Sequence, residues 1–185
     1  MSEEFAKVDL KKFPKTKEAL EKAFAGEAMA RNKYTYFASI ARKAGFEQIA
    51  GIFEETADNE KEHAKVFFKL LQELGTTDEN LKKASEGEKY EWETLYPSFE
   101  KIARQEGWQE AATAFKEIAE VEQHHEKRYN ALLKNLNEGK VFKKGQKVFW
   151  KCRNCGYIHE GITAPLECPA CKHPQAFFEV LADNF

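Results

Sequence analysis

A chain of 185 residues has room for one ordinary domain and a small second one, and 42% hydrophobic with 13% aromatic content excludes wholesale disorder. A formal net charge of -2 argues against electrostatic binding to nucleic acid or to an anionic membrane, either of which would need a basic stripe. No window approaches about 18 uninterrupted apolar residues, and Met1 to Pro14 mixes charges with isolated apolar residues. Neither a membrane span nor a signal peptide is expected, and the chain reads as cytoplasmic.

Four helical segments follow in chain order. Between Thr16 and about Asn137 the only proline is Pro97, and Ala, Glu, Lys, Leu and Phe dominate. The first helix is expected from about Lys17 to Lys43, with Leu20, Phe24, Met29, Tyr36 and Ile40 near helical spacing and Gly45 ending it. The second is expected from Phe46 to Leu74, with Gly75 as its C-terminal stop. Thr76 followed by Glu79 reads as a capping box opening the third, which Pro97 should kink or break before Gly107. The fourth runs from Trp108 to about Asn137. After Gly139 the composition changes. Val141 to Gly145 is a basic connector, and the turn-rich stretch from Val148 reads as a small β domain. The expected division is therefore a four-helix bundle over 1–140 and a small β metal domain over 141–185.

The helical region repeats itself. Shifted by 62 residues, Tyr34, Phe37, Ile40, Ala41, Arg42, Gly45, Phe53, Ala57, Glu60, His63 and Lys65 fall on Tyr96, Phe99, Ile102, Ala103, Arg104, Gly107, Phe115, Ala119, Glu122, His125 and Lys127. The bundle is thus two related hairpins, and a site on their pseudo-two-fold axis would draw matching ligands from both. Glu60-x-x-His63 and Glu122-x-x-His125 are such a match, since residues three apart share a helical face. Glu27 lies 33 residues before Glu60, and Glu88 lies 34 before Glu122, with Glu91 three further on.

One Glu from each of two helices plus Glu-x-x-His from the other two is the di-iron or di-manganese pattern of ferritin-like bundles. Two close divalent cations need several carboxylates to neutralise and bridge them, and imidazole suits iron; such sites discriminate poorly between iron and manganese by affinity. A single Glu-x-x-His on a charged helix is ordinarily a solvated face. Its recurrence at the internal repeat is what favours a metal. His124 has no counterpart in the first half and reads as a surface residue, as do Glu54, Glu55, Glu62 and Glu117.

All four cysteines fall in Cys152-x-x-Cys155 and Cys168-x-x-Cys171, with 12 residues between the two pairs. In a reducing compartment this favours metal over disulfides. Four thiolates in two knuckles fit either zinc or iron. Gly156-Tyr157, Pro169, Trp150, Phe177 and Phe178 around them favour a rubredoxin-like iron site over a structural zinc ribbon.

Over essentially its whole length the chain resembles the rubrerythrin family, in AFAGEAMARNKY (23–34), IFEETADNEKEHAK (52–65), GEKYEWETLYPSF (87–99), VEQHHEKRY (121–129), CRNCGY and CPAC. The resemblance implies that Glu27, Glu60, Glu88, Glu91, Glu122 and His125 bind an oxidised di-iron site. His63 would then be the ligand taken up on reduction in exchange for Glu91. It implies hydrogen bonds from Tyr34 and Tyr96 to the glutamates, although both also read as buried aromatics packing the bundle. The implied activity is reduction of hydrogen peroxide to water, with electrons relayed through the four-cysteine iron. No Gly-x-Gly-x-x-Gly fingerprint is present, so an external NAD(P)H-linked reductase or a rubredoxin is the expected donor. The helical site alone would equally permit ferroxidase chemistry of the ferritin type. A zinc ribbon on a helical bundle would make a partner-recruiting module.

A short connection adds a further expectation. In an unexchanged bundle the path from His63 up helix two and down helix three to Glu88 returns over about 30 Å. A link of Gly75 to Thr77 spans only about 10 to 14 Å. A domain-swapped homodimer is therefore expected, with Glu27, Glu60 and His63 of one chain facing Glu88, Glu91, Glu122 and His125 of the other.

Overall fold

The structure, a computed structural model, describes residues 5–184. The chain is mainly α with a small antiparallel sheet at its C-terminal end, and it divides into two compact units, Met1–Gly75 and Thr76–Phe185. Among the described residues no helix is long and apolar enough to cross a membrane.

The first unit is a hairpin of α1 (Pro14–Lys43) and α2 (Glu47–Leu70), preceded by a 3-10 turn at Leu10–Lys12. Pro14 opens α1 where its missing N–H costs nothing. The helices meet through small side chains: Ala38, Ala41, Ala50, Ala57 and Ala64 are buried. Burying a methyl contributes only about 0.8 kcal/mol. Met29, Tyr36, Phe37, Ile40, Ile49 and Ile52 stay exposed, so this hairpin does not cover its own apolar surface.

In the second unit α3 (Thr77–Tyr90), a π-turn (Glu91–Leu95) and α4 (Tyr96–Glu106) form one rod that packs against α5 (Gln109–Asn137). The expected capping box is present, with the Thr76 N–H donating to Glu79 Oε2 at 2.8 Å. The two hairpin turns repeat in geometry as they do in sequence. Gly45 and Gly107 both have φ 84°, the left-handed conformation that glycine adopts without penalty. Phe46 N–H donates to Ala41 O and Trp108 N–H to Ala103 O, both at 2.9 Å, closing the same helix-ending motif. Arg42 and Arg104 each reach across their turn, to Glu47 and Gln109.

Two expectations need correction. The second helix ends at Leu70 rather than Leu74, and Gln72 (φ 61°) takes the left-handed position expected of Gly75. The Gln72 side-chain amide donates to Val8 O at 2.8 Å, and the Glu73 N–H closes the helix end onto Phe68 O at 3.2 Å. The link to α3 is therefore residues 71–76, twice the length read from the glycine. In the third helix the irregularity is the π-turn, which lies before Pro97. Pro97 sits in the first turn of α4, a place proline tolerates.

The C-terminal sheet has the order β2-β1-β3, from β1 (Lys143–Cys152), β2 (Ile158–Thr163) and β3 (Phe178–Val180), both pairings antiparallel. Its core is Trp150, Cys152, Ala164, Cys168 and Phe178, with Phe142, Val148, Tyr157 and Cys171 packed around them. The Trp150 indole satisfies its one polar group by donating to Gly161 O at 2.9 Å.

Candidate metal centres

In the first unit Glu27 projects from α1, and Glu60 and His63 from one face of α2. Each offers a ligand atom within 4.8 Å of the others. His63 Nδ1 lies 2.7 Å from Glu60 Oε2. In the second unit Glu88 from α3 and Glu122 and His125 from α5 converge in the same way. His125 Nδ1 contacts Glu122 and lies 3.7 Å from Glu88 Oε1. The halves are alike in composition and unlike in cover: the His63 side chain is 58% exposed and that of His125 32%.

The electrostatics of the second group ask for a cation. Burial, then the Glu122 carboxylate beside it, hold the Glu88 carboxyl above the usual carboxylate range, with Glu91 adding repulsion. Two carboxylates and an imidazole at this spacing are a hard, anionic donor set that fits divalent iron or manganese. Glu91 stands outside the three-residue group. It lies near enough to Glu88 and Tyr96 to act on both, and burial followed by the Glu91 and Glu122 charges raises the Tyr96 phenol. Tyr34 packs in the equivalent aromatic cluster, 6.2 Å from Phe53 by ring centroids, as Tyr96 packs 6.1 Å from Phe115. His124, Glu54, Glu55, Glu62 and Glu117 are exposed, as their surface reading required.

The π-turn has a sequence cause. Downstream of it the halves match at 62 residues, Tyr34 on Tyr96. Upstream they match at 61, Gly26 and Glu27 on Gly87 and Glu88. The second half therefore carries one extra residue between Glu88 and Tyr96, the segment where the Tyr96 N–H reaches back five residues to Glu91 O. A one-residue insertion absorbed as a wide turn preserves the helix on either side. It also rotates the residues within it, and π-turns of this kind recur at functional sites. At the 61-residue match Glu91 falls on Ala30, in the uninterrupted helix α1, so the added turn carries a carboxylate that the first half lacks.

The four cysteines converge between β1 and the loop before β3. Cys152 and Cys171 sulfurs are 3.7 Å apart, as are Cys155 and Cys168, and all four lie within 4.8 Å of one another. A tetrahedron with metal–sulfur bonds of about 2.3 Å has edges of about 3.8 Å, so the cage fits a single tetrahedral ion. The two knuckles are matched: Gly156 N–H donates to Cys152 O at 2.8 Å and Lys172 N–H to Cys168 O at 2.9 Å, both residues with positive φ. The backbone amide of His173 is the main influence drawing the Cys171 thiol down to about 6. The Tyr157 amide acts the same way on Cys155. There the neighbouring thiols, Cys171 first, and burial outweigh it and push Cys155 up to about 12.

Sequence reasoning passed over Ser85, Trp92, Glu126 and Asn130, which hydrogen-bond in series beside the second group. The available signal was their departure from the repeat.

A family model described as rubrerythrin matches residues 18–133, and one described as the rubrerythrin rubredoxin-like domain matches residues 150–179. Rubrerythrin-1 of Clostridium acetobutylicum is 54% identical, over 92% of this chain and 96% of its own. Rubrerythrin of Clostridium perfringens is 53% identical over the same shares, and that of Porphyromonas gingivalis 49% identical over 92% of each chain.

Proposed function

The chain belongs to the rubrerythrin family, with its ferritin-like helical fold, rubredoxin-like domain and iron cofactors, and on that premise we propose that it is a peroxidase reducing hydrogen peroxide to water. The observation that carries this reading is the four-sulfur cage of tetrahedral size attached to a chain with two Glu–Glu–His groups. When bound, the helical irons supply the two electrons that, with two protons, turn hydrogen peroxide into two waters, and the four-cysteine iron supplies replacements singly. Storage or ferroxidase chemistry has no need of such a relay.

The residues divide the work as follows. Glu27, Glu60, Glu88, Glu122 and His125 hold the two irons and balance their charge. Glu91 would hold the oxidised centre, and His63, the more exposed imidazole, would take its place on reduction, an anionic ligand suiting the ferric state and a neutral one the ferrous state. Tyr34 and Tyr96 orient the carboxylates, and the raised Tyr96 phenol remains a donor at neutral pH. Cys152, Cys155, Cys168 and Cys171 hold the relay iron. Residues 1–140 form the peroxidase domain and 141–185 the electron-transfer domain, which receives electrons from an NAD(P)H-linked reductase or a rubredoxin in the cytoplasm.

The working form in this reading is a domain-swapped homodimer. With α2 ending at Leu70 and α3 starting at Thr77, an unexchanged bundle would need its link to return over about 27 Å to bring His63 level with Glu88. Six extended residues reach about 20 to 22 Å. The shortfall is much smaller than a three-residue link would leave, so the linker favours exchange without requiring it. The stronger support is the apolar face of the first hairpin, where Tyr36 is 66% and Ile40 65% exposed, which a second copy's hairpin would cover.

The test is reaction of the reduced full chain with hydrogen peroxide and, separately, with oxygen. Faster oxidation by peroxide, with two electrons consumed per peroxide, is the expected result. Faster reaction with oxygen would favour the ferroxidase reading instead.

A further inference from the structure

The second hairpin replaces an apolar seam by a chain of hydrogen bonds. In the first hairpin Phe24 of α1 and Phe68 of α2 stack with ring centroids 5.0 Å apart, and Ala64, one turn before Phe68, is buried. The corresponding positions of the second hairpin are Ser85, Asn130 and Glu126. The Ser85 hydroxyl donates to Asn130 Oδ1 at 2.8 Å, and the Asn130 amide donates to Glu126 Oε1 at 3.3 Å. Glu126 Oε2 accepts from the indole N–H of Trp92 at 2.7 Å. Trp92 lies in the π-turn next to Glu91, and its counterpart in α1 is Arg31.

Four departures from an internal repeat, joined in one series of hydrogen bonds that ends in the segment that also departs in backbone, call for a joint explanation. Within a helical rod a π-turn is less regular than α-helix and needs outside support. Here that support comes from α5, the helix that also carries Glu122 and His125. Both oxygens of Glu126 are occupied, so this carboxylate is tied down one residue from His125 rather than free to compete for a cation. Ser85 is buried and fixes the far end of the chain.

We infer that Trp92, Glu126, Asn130 and Ser85 are positioning residues that clamp the π-turn to α5 and so set where Glu91 presents its carboxylate to the metal centre. The inference rests on the proposed role of Glu91 as a ligand of the oxidised centre. A carboxylate favours the ferric state, so loosening the clamp should mimic partial loss of Glu91.

The test uses the iron-loaded full chain and four variants: Glu91→Ala, Trp92→Phe, Glu126→Leu and Glu126→Gln. Two quantities are read: the midpoint potential of the helical irons, with the four-cysteine iron as internal control, and iron retention against a chelator. Trp92→Phe keeps the ring and removes the donor. Together with Glu126→Leu it should raise the helical midpoint in the same direction as Glu91→Ala and weaken iron retention by about tenfold, as loss of a supporting contact does. Glu126→Gln keeps an acceptor for the indole and should stay within about twofold of the parent. If Glu91→Ala shifts the midpoint while Trp92→Phe and Glu126→Leu do not, the clamp is refuted and the ligand role of Glu91 stands. If Glu91→Ala itself leaves the midpoint unmoved, both ideas fall. A shift of the four-cysteine midpoint in the clamp variants, or a loss of helical circular dichroism, would mark general disruption and also refute the clamp.

Discussion

Cys152 and Cys171 hold their sulfurs 3.7 Å apart although they lie 19 positions apart in the chain, one at the end of a core strand and the other in a loop knuckle. That spacing is set by packing, since Cys152 and Cys168 are buried in the same cluster as Trp150 and Phe178. Cys155 is the exposed corner of the cage. Its replacement by serine should leave the fold largely intact while removing the red ferric–thiolate absorption and lowering iron from about three to about two per chain. Sustained turnover with an external reductase should collapse, whereas one reaction of the chemically reduced helical site with peroxide should proceed at the parent rate. Stopped-flow and steady-state assays on the same preparation make the comparison.

Removing Trp150 tests how far the small domain depends on its core. The side chain is fully buried and its indole N–H is bonded, so Trp150→Ala should cost about 3 to 5 kcal/mol. That is comparable to what a core of this size can supply, and metal loss should follow. Iron analysis should show the four-cysteine site empty while far-ultraviolet circular dichroism retains the helical signal. A preserved red colour would contradict the prediction.

Exchange of hairpins is testable without a new structure. One chain carries Glu60→Ala and His63→Ala, and the other Glu122→Ala and His125→Ala. A mixed swapped dimer joins both damaged hairpins in one site and both intact hairpins in the other, so about half of the sites survive. An unexchanged pair leaves every site damaged. Peroxide consumption by the purified heterodimer should therefore approach half that of the parent, and activity no higher than in either damaged homodimer would rule exchange out.

Deletion of Thr94 should turn the π-turn back into ordinary helix, as in α1 of the first half. Helicity and melting temperature should hold or rise, because a regular hydrogen-bond ladder replaces a strained one. Peroxide reduction should fall by about a hundredfold, since a misplacement near 1 Å can have that effect. Thermal melts alongside peroxide kinetics would check both halves of the expectation.

Much of this was legible in the residues alone because the controlling physics is local. Glu60 and His63 share a face at a three-residue spacing, as do Glu122 and His125, and the structure gathers each pair with its upstream glutamate. Gly45 and Gly107 end their helices in the left-handed conformation, Thr76 and Glu79 form the capping box, and two Cys-x-x-Cys knuckles close one cage. In each case a few adjacent residues suffice, and the 62-residue repeat doubles the signal.

Only the tertiary structure decided what depends on distant contacts. The second helix stops at Leu70 with Gln72 in the left-handed position that a local glycine rule gave to Gly75, and the Gln72 side chain reaches Val8, 64 positions away. The change of repeat offset from 61 to 62 marks an extra residue between Glu88 and Tyr96, but only the structure shows it absorbed as a π-turn at Glu91, while Pro97, the local breaker, fits a helix start. The Trp92–Glu126–Asn130–Ser85 chain spans two helices, and its members look unremarkable singly. Spacing along one helix follows from helical geometry. Partners across helices are chosen by packing, and a linear pattern carries no record of that choice.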